Sequence, residues 1–184
     1  NIEGINFSNS NYGDQEKLLT IEQWGTSQWL SMGSAFSGAT NLQVNATDAP
    51  DLSLTTSTVQ MFQGASSLNS DFSTWDTSTI TDMYSMFDGA SAFNGDISSW
   101  DTSNVVNMGR MFRDASSFNQ PIGTWDVSNV TNMGGMFAGA ASFNQPLNSW
   151  DISNVSDMSA TFFGASSFNQ PLGSWSTSNV VNMH

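Results

Sequence analysis

Four aspartates, Asp76, Asp101, Asp126 and Asp151, recur every 25 residues, each directly after a tryptophan, and Asp51 continues the series upstream. A carboxylate row at a fixed interval could do several kinds of chemistry. It could share calcium, which takes roughly six to eight oxygen ligands at about 2.3–2.6 Å, with Ser and Asn side chains and turn carbonyls completing the set. It could supply the carboxyl pair of a retaining glycosidase, about 5–5.5 Å apart. Acid and base roles, however, need two environments that push the pKa values apart, and repeated positions share one environment, so no enzyme and no catalytic residue are expected. The simplest reading is that each Asp accepts backbone N–H groups in a turn. Calcium is kept as the alternative cofactor, although no EF-hand or glycine-rich nonapeptide motif is present. Carboxylates stacked about 5 Å apart repel by about 0.8 kcal/mol even at the dielectric of water, so either amides or a cation must offset them.

The cations form the second candidate group. Lys17, Arg110 and Arg113 stand against 16 Asp and Glu, for a net charge of -13. That balance excludes ordinary nucleic-acid binding, which needs several cations on one face, and attraction to an anionic membrane surface. There is no cysteine for a disulfide, a thiolate zinc site or a cysteine nucleophile, and the single histidine is His184. No apolar run of about 18 residues exists to insert in a membrane. Positions that vary between units are the best guide to a ligand surface, because the core does not dictate them. Tyr84, Arg110, Gly134 and Ala160 are read as one such column, Gln63, Asp88, Arg113, Ala138 and Phe163 as another, and Ser70, Gly95, Gln120, Gln145 and Gln170 as a third. Tyr84, Arg110, Arg113 and Phe163 are therefore the candidate ligand-binding residues. An Arg–Tyr patch can take a carboxylate or stack on a sugar. The competing reading pairs the arginines with Asp88 or Asp114.

Positioning these side chains is the task of a repeat. Trp75, Trp100, Trp125, Trp150 and Trp175 share the 25-residue interval with Phe, Ser, Asn and Ala columns, and one unit runs from Gly123 to Leu147. Upstream, Trp24, Ser27, Trp29, Met32 and Phe36 keep the pattern, and the next unit is one residue longer with Pro50 in the Trp column. Residues 1–23 depart from it and are predicted to form a strand-rich N-terminal cap. Residues 24–184 form about six units, truncated within a unit at the C-terminus, as expected of a monomeric fragment of a larger chain. Within a unit, the spacing of Val130, Met133, Met136, Phe137 and Ala140 predicts a helix of two to three turns, part of it 3-10. Ser128 is its predicted N-cap and Gly139 its stop. Phe143–Leu147 reads as a short extended piece. No unit can bury its aromatic set alone, so the units must stack, at roughly 4.8 Å per layer if the strands pair in parallel. The predicted fold is an α/β solenoid, a leucine-rich-repeat-like right-handed coil of short parallel strands and short helical or 3-10 turns. The Asn column, Asn69 to Asn169, is expected to form a hydrogen-bonded ladder. A Ser/Thr row at 74, 99, 124, 149 and 174 is too mixed for an ice-binding face.

The run NVTNMGGMFAGAASFNQPLNSWDISNV resembles the 25-residue repeat of bacterial surface proteins first noted in mycoplasmas and grouped with BspA-like leucine-rich-repeat proteins. The resemblance covers about residues 24–184 and implies a secreted or cell-surface protein, often part of a large adhesin. It implies a non-catalytic binding module whose partner is a protein or glycan on another cell or surface. The family carries no catalytic residues to transfer. A structural spacer rod is the alternative, and a carbohydrate-active enzyme the weakest one.

Overall fold

Alternation of backbone donors sets the architecture of each unit. The computed structural model describes residues 14–184, and the strands expected around Ile2, Ile5 and Phe7 lie outside the described residues. In the unit that starts at Trp125, the N–H groups of Gly135, Phe137 and Gly139 donate to the carbonyls of Ser159, Thr161 and Phe163 in the next unit, at 2.7, 2.9 and 2.7 Å. The intervening Met136, Ala138 and Ala140 instead close turns onto Met133, Gly135 and Phe137, each at 3.0 Å. Half of the donors therefore leave the unit, whereas an α-helix keeps its N–H groups within itself. The backbone enforces this. Gly135 and Gly139 have φ of 65° and 72°, at the third residue of the turns Met133–Met136 and Phe137–Ala140, as type II turns require. A left-handed residue at these intervals cannot be continued as a right-handed helix.

The helix expected over Val130–Ala140 is thus replaced by consecutive turns. Among the described residues the only helix is a 3-10 turn, Asp14–Lys17, and the only sheet pairs β1 (Thr20–Ile21) in parallel with β2 (Gln43–Val44). An apolar interval of three suits successive i-to-i−3 turns as well as it suits a helix, which is why spacing alone misassigns the segment. No helix of the described residues is long and apolar enough to cross a membrane.

Units register one on the next by parallel bridges at the same position: Ser57–Asp82, Asp82–Asn107, Asn107–Asn132, Asn132–Asp157 and Asp157–Asn182. Side-chain ladders reinforce them. Asn94, Asn119, Asn144 and Asn169 each donate a backbone N–H to the Oδ1 of the Asn one unit earlier, at 2.8–2.9 Å. The structure places the extra residue upstream of Pro50, in the unit that begins at Trp24, and absorbs it without losing register. Ser34 N–H bonds Val59 O, 25 residues on, where Gln60 N–H bonds Tyr84 O, 24 residues on.

The core consists of the stacked columns. Phe87, Phe112 and Phe137 are fully buried, with ring centroids 5.8 Å apart from one unit to the next. Burial of such a ring removes about 150–250 Å² from water, on the order of 4–6 kcal/mol before entropy is charged. The tryptophans stack at 6.3–6.4 Å in the pairs Trp75–Trp100, Trp100–Trp125 and Trp150–Trp175. Their indole N–H groups find acceptors in the backbone of the preceding unit: Trp125 Nε1 donates to Ile97 O at 3.2 Å and Trp150 Nε1 to Ile122 O at 3.1 Å. Pro50 interrupts the column, and Trp24 meets Trp75 edge-on at 5.3 Å in its place. The buried Nε1 atoms of Trp24 and Trp29 have no acceptor among the described residues.

Candidate functional site

The aspartate column is a row of turn caps. Ser78, Ser103 and Ser128 each donate a backbone N–H at 3.0 Å to Oδ1 of Asp76, Asp101 and Asp126, and the same oxygens accept the serine hydroxyls at 2.6–2.7 Å. Asp151 accepts the Ser153 N–H at 3.0 Å. Ser128, expected to cap a helix, instead donates both its N–H and its hydroxyl to Asp126. The serine hydroxyls hold the carboxyls of Asp76 and Asp126 below their usual 3.8, the serine N–H groups add to this, and the neighbouring Asp151 opposes the shift at Asp126. For Asp151 the Ser153 N–H is the leading cause of the same downward shift. Among the described residues no three His, Cys, Asp or Glu side chains gather in a group able to hold a metal.

The variable positions produce a different feature. The register places Tyr84 in a column with Gly109, Gly134 and Ser159, and Arg110 in the neighbouring column with Ser85, Gly135 and Ala160. The single column that would have held Tyr84, Arg110, Gly134 and Ala160 is therefore two, one residue apart. Tyr84 and Arg110 still meet. The Arg110 Cζ lies 5.9 Å from the centroid of the Tyr84 ring. The ring leans across the buried Gly109, where a Cβ would come within 3.1 Å of Tyr84 Cδ2. Glycine at 109 is what lets the aromatic ring cross into the next unit.

The two arginines differ in electrostatic state. Arg113 Nε donates to Asp88 Oδ1 at 2.9 Å and lies 3.8 Å from Asp114 Oδ2, and the Asp88 side chain is only 4% exposed. Gln63 Nε2 donates to the other Asp88 oxygen at 3.3 Å. The bond to Asp88 raises the already high pKa of Arg113, and the charge is locally neutralised. Arg110 is exposed and has no carboxylate in ion-pair range among the described residues.

Beside Arg110 and Arg113 the next unit carries Gly134, Gly135 and Ala138, and this row of missing side chains opens a slot. The slot has a volume of about 330 Å³ and is lined by Tyr84, Arg110 and Arg113 on one side and by Asp157, Ser159 and Ala160 on the other. Asn132 also lines it. A Cβ at Gly134 would sit 3.1 Å from Ser159 Oγ, 3.2 Å from Asp157 Oδ1 and 3.3 Å from Asn132 Oδ1. The slot floor is therefore ringed by three oxygens. Phe163 does not line it. That side chain is 78% exposed and borders a separate apolar hollow of about 470 Å³ with Phe162, Leu172, Trp175 and Met183.

Residues 6–108, 30–137 and 92–184 each match the family described as Mycoplasma protein of unknown function, DUF285. The chain belongs to this family. The three overlapping matches cover nearly all of the DUF285 chain, including every residue of the slot. No curated protein matches it, and neither does any solved structure. The DUF285 description assigns no activity, so function is argued from the slot. Asn132, Asp157 and Ser159 were not singled out from sequence. Their only signal is that Ser159 shares the column of Tyr84, Gly109 and Gly134, and that Asn132 and Asp157 share the column two residues before it.

Proposed function

We propose that this DUF285 chain is a non-catalytic binding module of a bacterial surface protein, carried on a solenoid-type stack of 25-residue units and recognising a protein or glycan on another cell or surface. One observation carries this reading: Arg110 is an exposed, uncompensated guanidinium at the mouth of a slot left open by Gly134, Gly135 and Ala138. The core columns repeat from unit to unit, whereas the columns of Tyr84, Arg110 and Arg113 are among those that change. Such a slot is suited to binding without chemistry, because its one hydroxyl–carboxylate pair, Ser159 with Asp157, is a turn cap of the kind repeated along the chain, and Asp157 is the one carboxyl that lines it.

The spacer reading draws support from the continuous Asn ladder and parallel bridges, which couple every unit to the next and make a stiff rod. The two readings separate in one experiment. The immobilised protein is presented with a glycan panel and with intact cells, alongside Arg110→Gln. Binding that is lost in Arg110→Gln supports recognition through the slot. Absence of binding to every surface up to high micromolar concentration leaves the spacer.

A further inference from the structure

We infer that the slot beside Arg110 takes a monoanionic acidic sugar, a residue carrying one carboxylate and several hydroxyls. This rests on the binding-module reading and names the ligand class of the same site. Charge accounting comes first. Arg113 is consumed by Asp88 and Asp114, so the slot offers one free positive charge, Arg110. Asp157 lines the opposite side, and the chain carries -13 overall. A doubly charged phosphate or sulfate ester would meet one cation and a field of acids, whereas a single carboxylate is matched one to one. The guanidinium fork is also the donor geometry that a planar carboxylate fits.

The remaining lining asks for hydroxyl donors. Asp157 Oδ1, Ser159 Oγ and Asn132 Oδ1 surround the bare Cα of Gly134. Each already accepts from, or donates to, its own turn, with Gly134 N–H on Asn132 Oδ1 at 2.9 Å and Ser159 N–H on Asp157 Oδ1 at 2.9 Å. These bonds fix the oxygens in place and leave acceptor lone pairs. A hydroxylated ring in the slot supplies donors to such oxygens, which a side chain at position 134 would crowd. An acidic peptide is less well matched, because an extended strand needs a free ladder edge. Here the N–H groups of Gly135, Phe137 and Gly139 are already spent on the next unit. The volume of about 330 Å³ falls at the small end of ligand sites, about 300–1,000 Å³, enough for one or two sugar rings.

Backbone and ring together hold Arg110 in place, the backbone conformation being the one its whole column adopts. Its φ is 56°, a left-handed conformation that an arginine adopts at a cost of roughly 1–2 kcal/mol, and the half-buried Tyr84 ring holds the guanidinium from the other side.

Calorimetric titration with a glucose oligomer that carries a single glucuronate, and with the neutral glucose oligomer of the same length and linkage, tests the inference. The acidic oligomer should bind at least about tenfold more tightly, the effect of one charge-assisted pair. Arg110→Gln should remove that difference. Ala138→Phe fills the slot with a side chain that the same column already carries at Phe163, so it should fold with an unchanged melting curve and lose binding. Equal affinity for the two oligomers, stronger binding of a Glu-rich peptide, or undiminished binding by Ala138→Phe overturns the acidic-sugar assignment while leaving a binding module. Silence toward both oligomers overturns it as well. Only the added failure of the wider glycan and cell panel removes the binding module itself.

Discussion

The guanidinium of Arg110 and the ring of Tyr84, 26 residues apart in sequence, come within 5.9 Å because Gly109 leaves room for the ring to cross from one unit to the next. The pair sits at the edge of the slot and supplies its only uncompensated positive charge. Cation–π attraction at an exposed site contributes about 0.5–1 kcal/mol. A double-mutant cycle of Tyr84→Leu and Arg110→Gln, read by denaturant unfolding, should therefore return a coupling of about 0.5–1 kcal/mol. A coupling indistinguishable from zero contradicts the pairing.

Backbone strain in the Arg110 column gives a second expectation. Gln60, Ser85, Arg110 and Ala160 all adopt positive φ where Gly135 does so freely. Relief of left-handed strain, about 1–2 kcal/mol, exceeds the entropy that glycine adds to the unfolded chain, about 0.4–1 kcal/mol. Ala160→Gly should stabilise the protein by about 0.5–1 kcal/mol. Ala138→Gly, in the same turn region but at ordinary φ, should destabilise by a similar amount. Thermal unfolding of the two variants distinguishes them, and destabilisation by both refutes the assignment of strain.

The tryptophan column offers an internal control. Trp125→Phe removes the indole donor to Ile97 O and leaves that carbonyl with the Trp100 N–H alone, whereas Trp24→Phe removes an N–H that has no acceptor among the described residues. Trp125→Phe should cost about 1–2 kcal/mol more than Trp24→Phe in the same denaturation assay. Equal costs would show that packing alone sets the tryptophan column.

Acid should unfold the stack from its turn caps. The carboxyls of Asp76, Asp126 and Asp151 lie below their usual 3.8 in the folded chain. A depressed folded-state pKa gives stability that is fully present above the unfolded value and lost as pH falls through the folded one. Stability from these caps should be flat from neutral pH down to about pH 5 and decline below about pH 4. Replacement of Asp126 by Asn, which keeps an acceptor, should shrink that decline. A decline that persists unchanged in Asp126→Asn, Asp76→Asn and Asp151→Asn together would place the acid sensitivity elsewhere.

The same caps set an expectation for calcium. Because serine N–H and hydroxyl groups already occupy Oδ1 across the column, the melting temperature in millimolar calcium should match that in EDTA to within a few degrees. A rise above about 10 °C, equivalent to a tightly held ion, would show that the ladder is a metal site.

Much of this was readable in the residues themselves. The interval of 25 fixed which side chains share a column, so the Phe and Trp cores and the Asn ladder needed only stacking to appear. The Asp–x–Ser spacing likewise foreshadowed the turn caps. The turns over Val130–Ala140 were not readable, because Met133, Met136, Phe137 and Ala140 keep the same intervals in a helix and in successive turns. What separates the two is the destination of every second N–H group, and that is set by the neighbouring unit. The slot was hidden for a related reason. Gly134, Gly135 and Ala138 mark it by lacking side chains, and an absence has meaning only once Arg110 and Ala160 are known to flank it. The one-residue slip that put Tyr84 and Arg110 in a single column shows how closely the reading depends on register.

Amide NMR during titration with the glucose oligomer that carries a single glucuronate is the decisive measurement, because it locates the contact without altering the protein. The account predicts that shifts concentrate at Gly134, Gly135, Ala138 and Ser159 and disappear in Arg110→Gln. Shifts confined to the aspartate caps or to the apolar hollow around Phe163, or shifts that survive Arg110→Gln, would contradict it.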